Sequence, residues 1–355
     1  MKKIFYSVAT HDYLSQLMCA QESFVKHNKN FKSYIFVVDG KIEHVNKLNK
    51  KFKKNKTDVV FFCFDNIKKY KNKFEKSRQY YNNFEISCFA KIVGISYLYD
   101  EVLEESDILV FSDADLLFFE SINQLIDEMA KKDILLTPHI IKPELDSKHE
   151  QGYLTHGWIN AGFMIFRKRD KPVGAIISWL IDRIFLRGFN APNMYMFVDQ
   201  AWISSLPNLF HKHVKISQNY SANVAYWNFN ERRIVKSDQK YKIFNNPIIF
   251  FHFSGYEKNN KFNLSKHFNF DQSKESYPEI FELMDIYHKK LSNKSEVNDI
   301  LSDIKVDFYS FNNNELNQRV LLAERINKIN IYNPTSNEGF IVKIARRLEN
   351  FLYNQ

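Results

Sequence analysis

Glycine and proline are scarce in this chain, at 9 and 8 of its 355 residues. That scarcity excludes collagen-like, repeat-loop and linker-rich designs. Cysteine is scarcer still: Cys19, Cys63 and Cys88 show no C-x-x-C spacing. Neither a disulfide framework nor a cysteine-ligated metal site is expected, and a reducing cytoplasm is the simplest compartment. No apolar run approaches the ~18 residues of a membrane span. The best candidate, Gly174–Phe185, is interrupted by Asp182 and Arg183. The opening MKKIFYSVATHDY is basic, but its apolar stretch ends at His11 and Asp12, so it reads as a first strand rather than a signal peptide.

What is present fits a folded domain. Hydrophobic residues make up 45% and charged residues 26%, which excludes wholesale disorder, and 33 Phe with 19 Tyr supply a large aromatic core. At roughly 100–200 residues per domain, the length suits two or three units, or one α/β domain with an extension. The net charge of +9 is localised. Between Lys41 and Tyr80 there are 13 Lys/Arg against 4 Asp/Glu, so the remainder of the chain is neutral. Such a patch is either a solvated lysine-rich face or a surface for anionic lipid or an acidic acceptor, each basic residue contributing ~1 kcal/mol near a membrane. Nucleic acid is not expected, because Arg78 is the patch's only arginine and no nucleic-acid motif accompanies it.

Over the first half, hydrophobic periodicity alternates strand and helix, as in a parallel α/β sheet, and the second half is less regular. Strands are predicted at Lys3–Ala9, Tyr34–Val38, Val59–Phe64, Ile108–Ser112, Ile134–Thr137, Trp158–Phe166 and Ile248–Phe253. Helices are predicted from Leu14 to Val25 and at Phe84–Tyr99, Ile122–Met129, Val173–Leu186, Phe197–Ser205 and Pro278–Leu291. Beyond Ser292 the chain turns polar, and a small helical extension is predicted to end in an amphipathic helix, Gly339–Tyr353.

The most informative stretch is Ile108–Phe119, where an apolar strand delivers Asp113 and Asp115 to its C-terminal end. Ligands bind at that end in open α/β sheets. Side chains two apart on an extended segment point the same way, so the pair can share one hard cation or split between a cation and a sugar hydroxyl. By itself such an acidic strand end also suits a turn or helix cap. A phosphatase-type reading, resembling the haloacid dehalogenase family, expects glycine and a hydroxyl residue next; Leu116 and Leu117 stand there instead.

Further along come Asn160-Ala161-Gly162, Asp199-Gln200 and His252-x-x-Gly255-x-x-Lys258. In that order, D-x-D, N-A-G, D-Q and H-x-x-G-x-x-K resemble the retaining glycosyltransferases of the GT-A fold, in particular the glycogenin-like and lipooligosaccharide galactosyltransferase group of family 8. The resemblance runs from about Lys2 to Lys258. It implies a GT-A (Rossmann-like) nucleotide-sugar-binding domain over residues 1–270; residues 271–355 read, from their own pattern, as a C-terminal helical extension whose amphipathic helix packs on its own domain or else on a membrane or partner.

The same resemblance implies roles. Asp113, Asp115 and His252 would hold Mn²⁺ or Mg²⁺ against the donor diphosphate, imidazole favouring Mn²⁺. Gly255 and Lys258 would approach and neutralise phosphate. Asn160, Asp199 and Gln200 would contact the transferred sugar, with Asp199 or Gln200 beside the anomeric carbon; a helix cap is the alternative for Asp199. Thr10, Asp12 and Tyr13 would hold base and ribose, and Lys91 would face donor phosphate or ribose. The segment Asn219–Arg233 has no close counterpart in the group's motifs; by residue type, Tyr226 and Trp227, with Asn223, Asn228 and Arg232, would form an acceptor platform or else core packing. The family's Pro-Trp after the final Lys is replaced by Asn259-Asn260, which leaves the donor sugar open. The expected activity is metal-dependent transfer of a sugar from a nucleotide sugar, UDP-linked hexose or N-acetylhexosamine, to a hydroxyl of a cell-surface glycan or lipid-linked precursor. The expected location is the cytoplasm, peripheral to the inner membrane face. A nucleotidyltransferase or phosphohydrolase, and a non-catalytic glycan-binding scaffold, are the rival classes.

Overall fold

The computed structural model describes residues 1–54, 58–144, 147–169, 171–257, 263–267, 277–294, 301 and 315–331. Its centre is a seven-stranded sheet. In chain order the strands are β1 (Lys3–Ala9), β2 (Lys32–Val37), β3 (Val59–Phe62), β4 (Ile108–Ser112), β6 (Ile134–Pro138), β7 (Ile159–Arg167) and β10 (Val214–Ile216), and across the sheet they run β10-β6-β7-β4-β1-β2-β3. β5 (Leu116–Phe118) lies outside it, as do the short β8 (Asn190–Ala191) and β9 (Met196–Phe197).

The apolar runs form strands because both sheet faces are covered. Along β1, Ile4, Tyr6 and Val8 enter one core with α4 (Asn83–Glu101) and α7 (Pro172–Arg187), whereas Phe5 and Ala9 enter the other with α1 (Leu14–His27). That is the two-residue period of a pleated strand. α4 begins at a reciprocal cap: Asn82 Oδ1 accepts from the Glu85 N–H (2.9 Å), and a Glu85 carboxylate oxygen accepts from the Asn82 N–H (2.8 Å). Gly94 lets this helix lie directly on β1, since a Cβ there would overlap the Tyr6 hydroxyl. That close seat brings Lys91 over the strand ends.

The first-half strands β1 to β4 and β6 all run parallel, and β7, from the less regular second half, runs antiparallel to both β4 and β6. Two expectations are corrected. The helix predicted at Phe197–Ser205 starts only at Gln200, as α8 (Gln200–Ile203), because Met196–Phe197 pairs with Asn190–Ala191. The last strand shortens to β14 (Phe250–His252), antiparallel to β5 with His252 opposite Leu116. Periodicity also overlooked α2 (Ile42–Lys54), whose lysine-rich face is exposed and which buries only Val45 and Leu48 fully.

The remaining elements are α3 (Lys71–Ser77), α5 (Asn123–Glu128), α6 (Ser147–His156), α9 (Leu206–Leu209), the meander β11 (Ile234–Ser237), β12 (Lys240–Ile243) and β13 (Asn246–Pro247), and α10 (Pro278–Ser292). α10 packs Ile280, Leu283, Met284, Tyr287 and Leu291 into a third core, with Tyr287 stacked on Phe253 at 4.0 Å. The helix Leu316–Asn327 returns to α4, where the buried Arg319 guanidinium binds the Glu85 carboxylate and the Tyr80 carbonyl. The amphipathic helix expected at Gly339–Tyr353 lies outside the described residues. Among those described, no helix is long and apolar enough to cross a membrane.

Candidate active site

Strand β4 ends at Ser112, and the backbone N–H of Asp113 donates to the Gly162 carbonyl of the adjacent β7 at 2.7 Å. The chain then turns into β5, which pairs with β14 and sets His252 beside Asp115. Asp113, Asp115 and His252 each offer one ligand atom, all within 4.8 Å of one another. Gly162 makes room for the cluster: a Cβ there would stand 2.5 Å from His252 Cε1 and 3.1 Å from Asp113 Oδ2.

His252 is oriented from behind. Its Nδ1 lies 3.2 Å from Asn223 Oδ1 and its Nε2 lies 3.1 Å from Asp115 Oδ1. Asn223 is held in turn by donating to the Pro138 carbonyl at 3.2 Å, and it adopts a left-handed backbone (φ 57°) that asparagine tolerates. Nε2–H donates to Asp115; with Nδ1–H held by Asn223, a cation in the cluster would take the place of that Nε2 proton and use the lone pair, the arrangement that tunes metal-ligating histidines. Burial acts upward on the Asp115 carboxyl, but the His252 imidazole outweighs it and holds the group below its ordinary range. Burial wins at Asp113, whose carboxyl is raised although Lys91 pulls the other way. Two carboxylate oxygens and one imidazole nitrogen suit a divalent cation such as Mn²⁺ or Mg²⁺.

Lys91 reaches the cluster from α4. Its ammonium contacts Asp113 Oδ1 at 3.2 Å, Asp199 Oδ2 at 2.9 Å and the Ala161 carbonyl at 3.2 Å. Burial acts to lower its pKa, yet the two carboxylates more than offset that and raise it. Through these two ion pairs Lys91 ties Asp113 to Asp199, while its hydrogen bond goes to the Ala161 carbonyl. Asp199 stands at the start of α8 without capping it through its side chain, so its carboxylate belongs to the lysine.

These groups line a cavity of about 1350 Å³. Asp12 and Tyr13 also line it, on a loop pinned by Asp39, which accepts from the His11 N–H at 3.0 Å and contacts its ring. Thr10 does not line it. Asn160 does, with Oδ1 accepting from the Gly162 N–H (3.1 Å) and Nδ2 3.4 Å from His139 Nε2. Gln200 lines it too, while its amide accepts from the Ala161 N–H (3.3 Å) and donates to the His156 carbonyl (2.8 Å). Tyr226 and Trp227 belong to the wall, Trp227 edge-on to His252 at 5.2 Å. Asn228 and Arg232 do not reach it. Both are buried, Asn228 bonding the His139 and Asn223 carbonyls and Arg232 those of Ala222 and Asn223, so they hold the segment that carries Asn223. Gly255 lines the cavity with φ 73°, and Lys258 lies outside the described residues.

Sequence reasoning missed Lys266 and His267, which line the cavity because the Lys266 N–H donates to the Gly255 carbonyl at 2.9 Å. It also missed His139, at the C-terminal end of β6, a strand-end position equivalent to that of Asp113 and the one signal that pointed to it. His139 stacks on Tyr153 (5.2 Å) and meets Trp227 edge-on (5.3 Å). Burial pushes its imidazole from the ordinary 6.5 down to about 3. The folded chain therefore refuses a proton that the unfolded chain accepts, so the associated stability is present above pH 6.5 and is lost as pH falls towards 3. Between neutral pH and about pH 4.5, urea unfolding should show a loss of about 3 kcal/mol in the wild type that His139→Gln lacks. Equal losses in both proteins would remove His139 as the cause.

Comparison with known proteins bears on this geometry. A family model described as "Glycosyl transferase family 8" matches residues 4–170, just under half of the chain and including Lys91, Asp113, Asp115 and Asn160. The uncharacterized protein YfnD of Bacillus subtilis (strain 168) is 22% identical over 257 residues, 71% of this chain and 77% of YfnD. Among solved structures, the apo-form glycosyltransferase GlyE of Streptococcus pneumoniae TIGR4 has a TM-score of 0.46 at 14% identity, over 83% of this chain and 64% of GlyE. The galactosyltransferase LgtC in complex with donor and acceptor sugar analogs has a TM-score of 0.46 at 15% identity, over 79% of this chain and 95% of LgtC. The chain thus spans less than two thirds of GlyE. It resembles the family 8 glycosyltransferases through its first six sheet strands, and its fold gathers the D-x-D pair, Asn160, the D-Q pair and His252 around one cavity.

Proposed function

We propose that this chain moves a hexose-type sugar, with retention, from a nucleotide sugar, UDP-linked, to a hydroxyl of a glycan or lipid-linked acceptor, with Mn²⁺ as the cation. The observation that carries this reading is the convergence of Asp113, Asp115 and His252 within 4.8 Å, beside the Lys91–Asp199 pair and in one cavity. The bound cation supplies positive charge against the donor diphosphate.

The chain's own residues do the rest. Asp12 and Tyr13 hold the nucleoside at the cavity's rim. Gly255 brings backbone close to phosphate, Lys258 and Lys266 add positive charge there, and the His267 imidazole, whose pKa burial lowers, offers a neutral hydrogen-bonding group. Asp199, fixed by Lys91, stabilises positive charge that develops at the anomeric carbon, while Asn160 and Gln200 orient the sugar. Tyr226 and Trp227 form the acceptor's aromatic platform. In this reading residues 1–270 are the transferase domain and 271–355 an extension, of which α10 and the helix Leu316–Asn327 buttress the domain. The α2 lysines hold the protein at the inner face of the cytoplasmic membrane, next to lipid-linked acceptors.

Calorimetry with UDP tests the core of this reading. Binding should need Mn²⁺ in the wild type and be lost in Asp115→Ala. Manganese-independent binding of UDP, or none at all, would remove the reading.

A further inference from the structure

A second concavity, of about 430 Å³, shares no residue with the active-site cavity. Its size is that of a small-ligand site. It lies between α5, the loop after β10 and the hairpin joining β12 to β13. Gln124, Gln218, Asn219 and Asn246 line it with side-chain amides, and Tyr220 and Phe244 with rings.

Phe244 is the unusual member. It is 57% exposed and, with Asn245, occupies the left-handed region (φ 51° and 109°). For a bulky non-glycine residue that conformation costs about 1 kcal/mol or more. The two-residue hairpin between the paired Ile243 and Asn246 demands positive φ at both central residues, and the turn leaves the ring in solvent, edge-on to Tyr220 at 5.3 Å. The loop opposite is built firmly. Glu128 accepts from the Ser217 hydroxyl and the Gln218 N–H, both at 2.6 Å, and Asn219 Oδ1 accepts from the Ser221 N–H at 2.9 Å. The only carboxylate in the lining is thereby occupied, and no lysine, arginine or histidine lines the groove.

This chemistry selects a ligand class. Lys142 and Arg232 sit over the Tyr220 ring at 5.5 and 6.0 Å and do not enter the lining, so a phosphate or other anion finds no counter-charge among the described lining residues. Asn219 is engaged, its Nδ2 donating to Gln124 Oε1 at 3.4 Å, which leaves the Gln218 and Asn246 amides to match adjacent hydroxyls, while the aromatic rings match the C–H face of a pyranose. We propose that the groove is a second, non-catalytic subsite for one pyranose of a neutral glycan. It needs neither the cation nor the nucleotide, so it stands or falls apart from the transfer reaction.

Saturation-transfer NMR with methyl α-glucoside, methyl β-galactoside and N-acetylglucosamine is the test. At least one sugar should receive saturation from the wild type and from Asp115→Ala, and lose it in Phe244→Ala and in Gln218→Ala. Both positions are exposed, so the variants fold. No transfer from any of the three sugars would overturn the proposal. Transfer that survives in Phe244→Ala, or that is competed away by UDP with Mn²⁺, would place binding in the main cavity and overturn it equally. Self-association that Phe244→Ala abolishes, without sugar binding, would assign the groove to a protein contact instead.

Discussion

Lys91→Met is expected to destabilise the protein by roughly 3–5 kcal/mol, because it leaves buried charge uncompensated. The ammonium is almost wholly buried and lies within 3.2 Å of both Asp113 and Asp199. Methionine fills similar volume but returns no charge, so the two carboxylates face each other across an apolar side chain. Added Mn²⁺ should then stabilise the variant more than the wild type, since a cation at the Asp113–Asp115–His252 cluster replaces part of the missing charge. Thermal unfolding with and without Mn²⁺ reads both effects. Equal manganese shifts in the two proteins would show that Lys91 and the cluster are electrically independent, contrary to their geometry. Transfer activity should fall in the variant even where it is fully folded, because Asp199 loses the partner that aims its carboxylate.

A comparable loss is expected far from the cavity, at Arg319. Arg319→Met removes the partner of Glu85, which is completely buried. Glu85 retains the Asn82 and Asn190 N–H groups at 2.8 Å but keeps its full charge in an apolar setting. The expected cost is again roughly 3–5 kcal/mol. Adding Glu85→Gln should recover much of it, since a neutral amide can still accept from the cap. A double variant that merely sums the two single losses would show that the pair is not coupled. The cavity should register the change as well: Asn190 lines it, and Glu85 fixes the Asn190 backbone.

Much of this was legible in the sequence, and the limits are instructive. The D-x-D pair announced itself because strand and carboxylates are contiguous; β4 alone sets their position. His252 needed the order of motifs, since its pairing with Asp115 bridges two strands far apart in the chain. The helix-cap alternative for Asp199 could not be settled from residue types, because its resolution lies in Lys91, more than a hundred positions earlier. Asn223 as the support of His252 was invisible for a like reason: a left-handed asparagine leaves no periodic trace. Asn228 and Arg232 looked like hydrogen-bonders for a sugar and are hydrogen-bonders for the backbone. Residue type gave their chemistry, and only the fold could say what they face. α2 was overlooked because a helix that packs by so narrow a stripe reads as a charge run.

The bond between Arg319 and Glu85 joins residues 234 positions apart, and that distance also orders events in time. Synthesis proceeds from the N-terminus, so the sheet, the D-x-D turn and the cap of α4 leave the ribosome well before Arg319 exists. Until then the nascent protein carries a bare acid beneath the wall of its own cavity. Its closing ion pair therefore comes late, and a ribosome stalled before codon 319 holds a chain with Asp113, Asp115, Asp199 and His252 all in place and the clamp on α4 still missing.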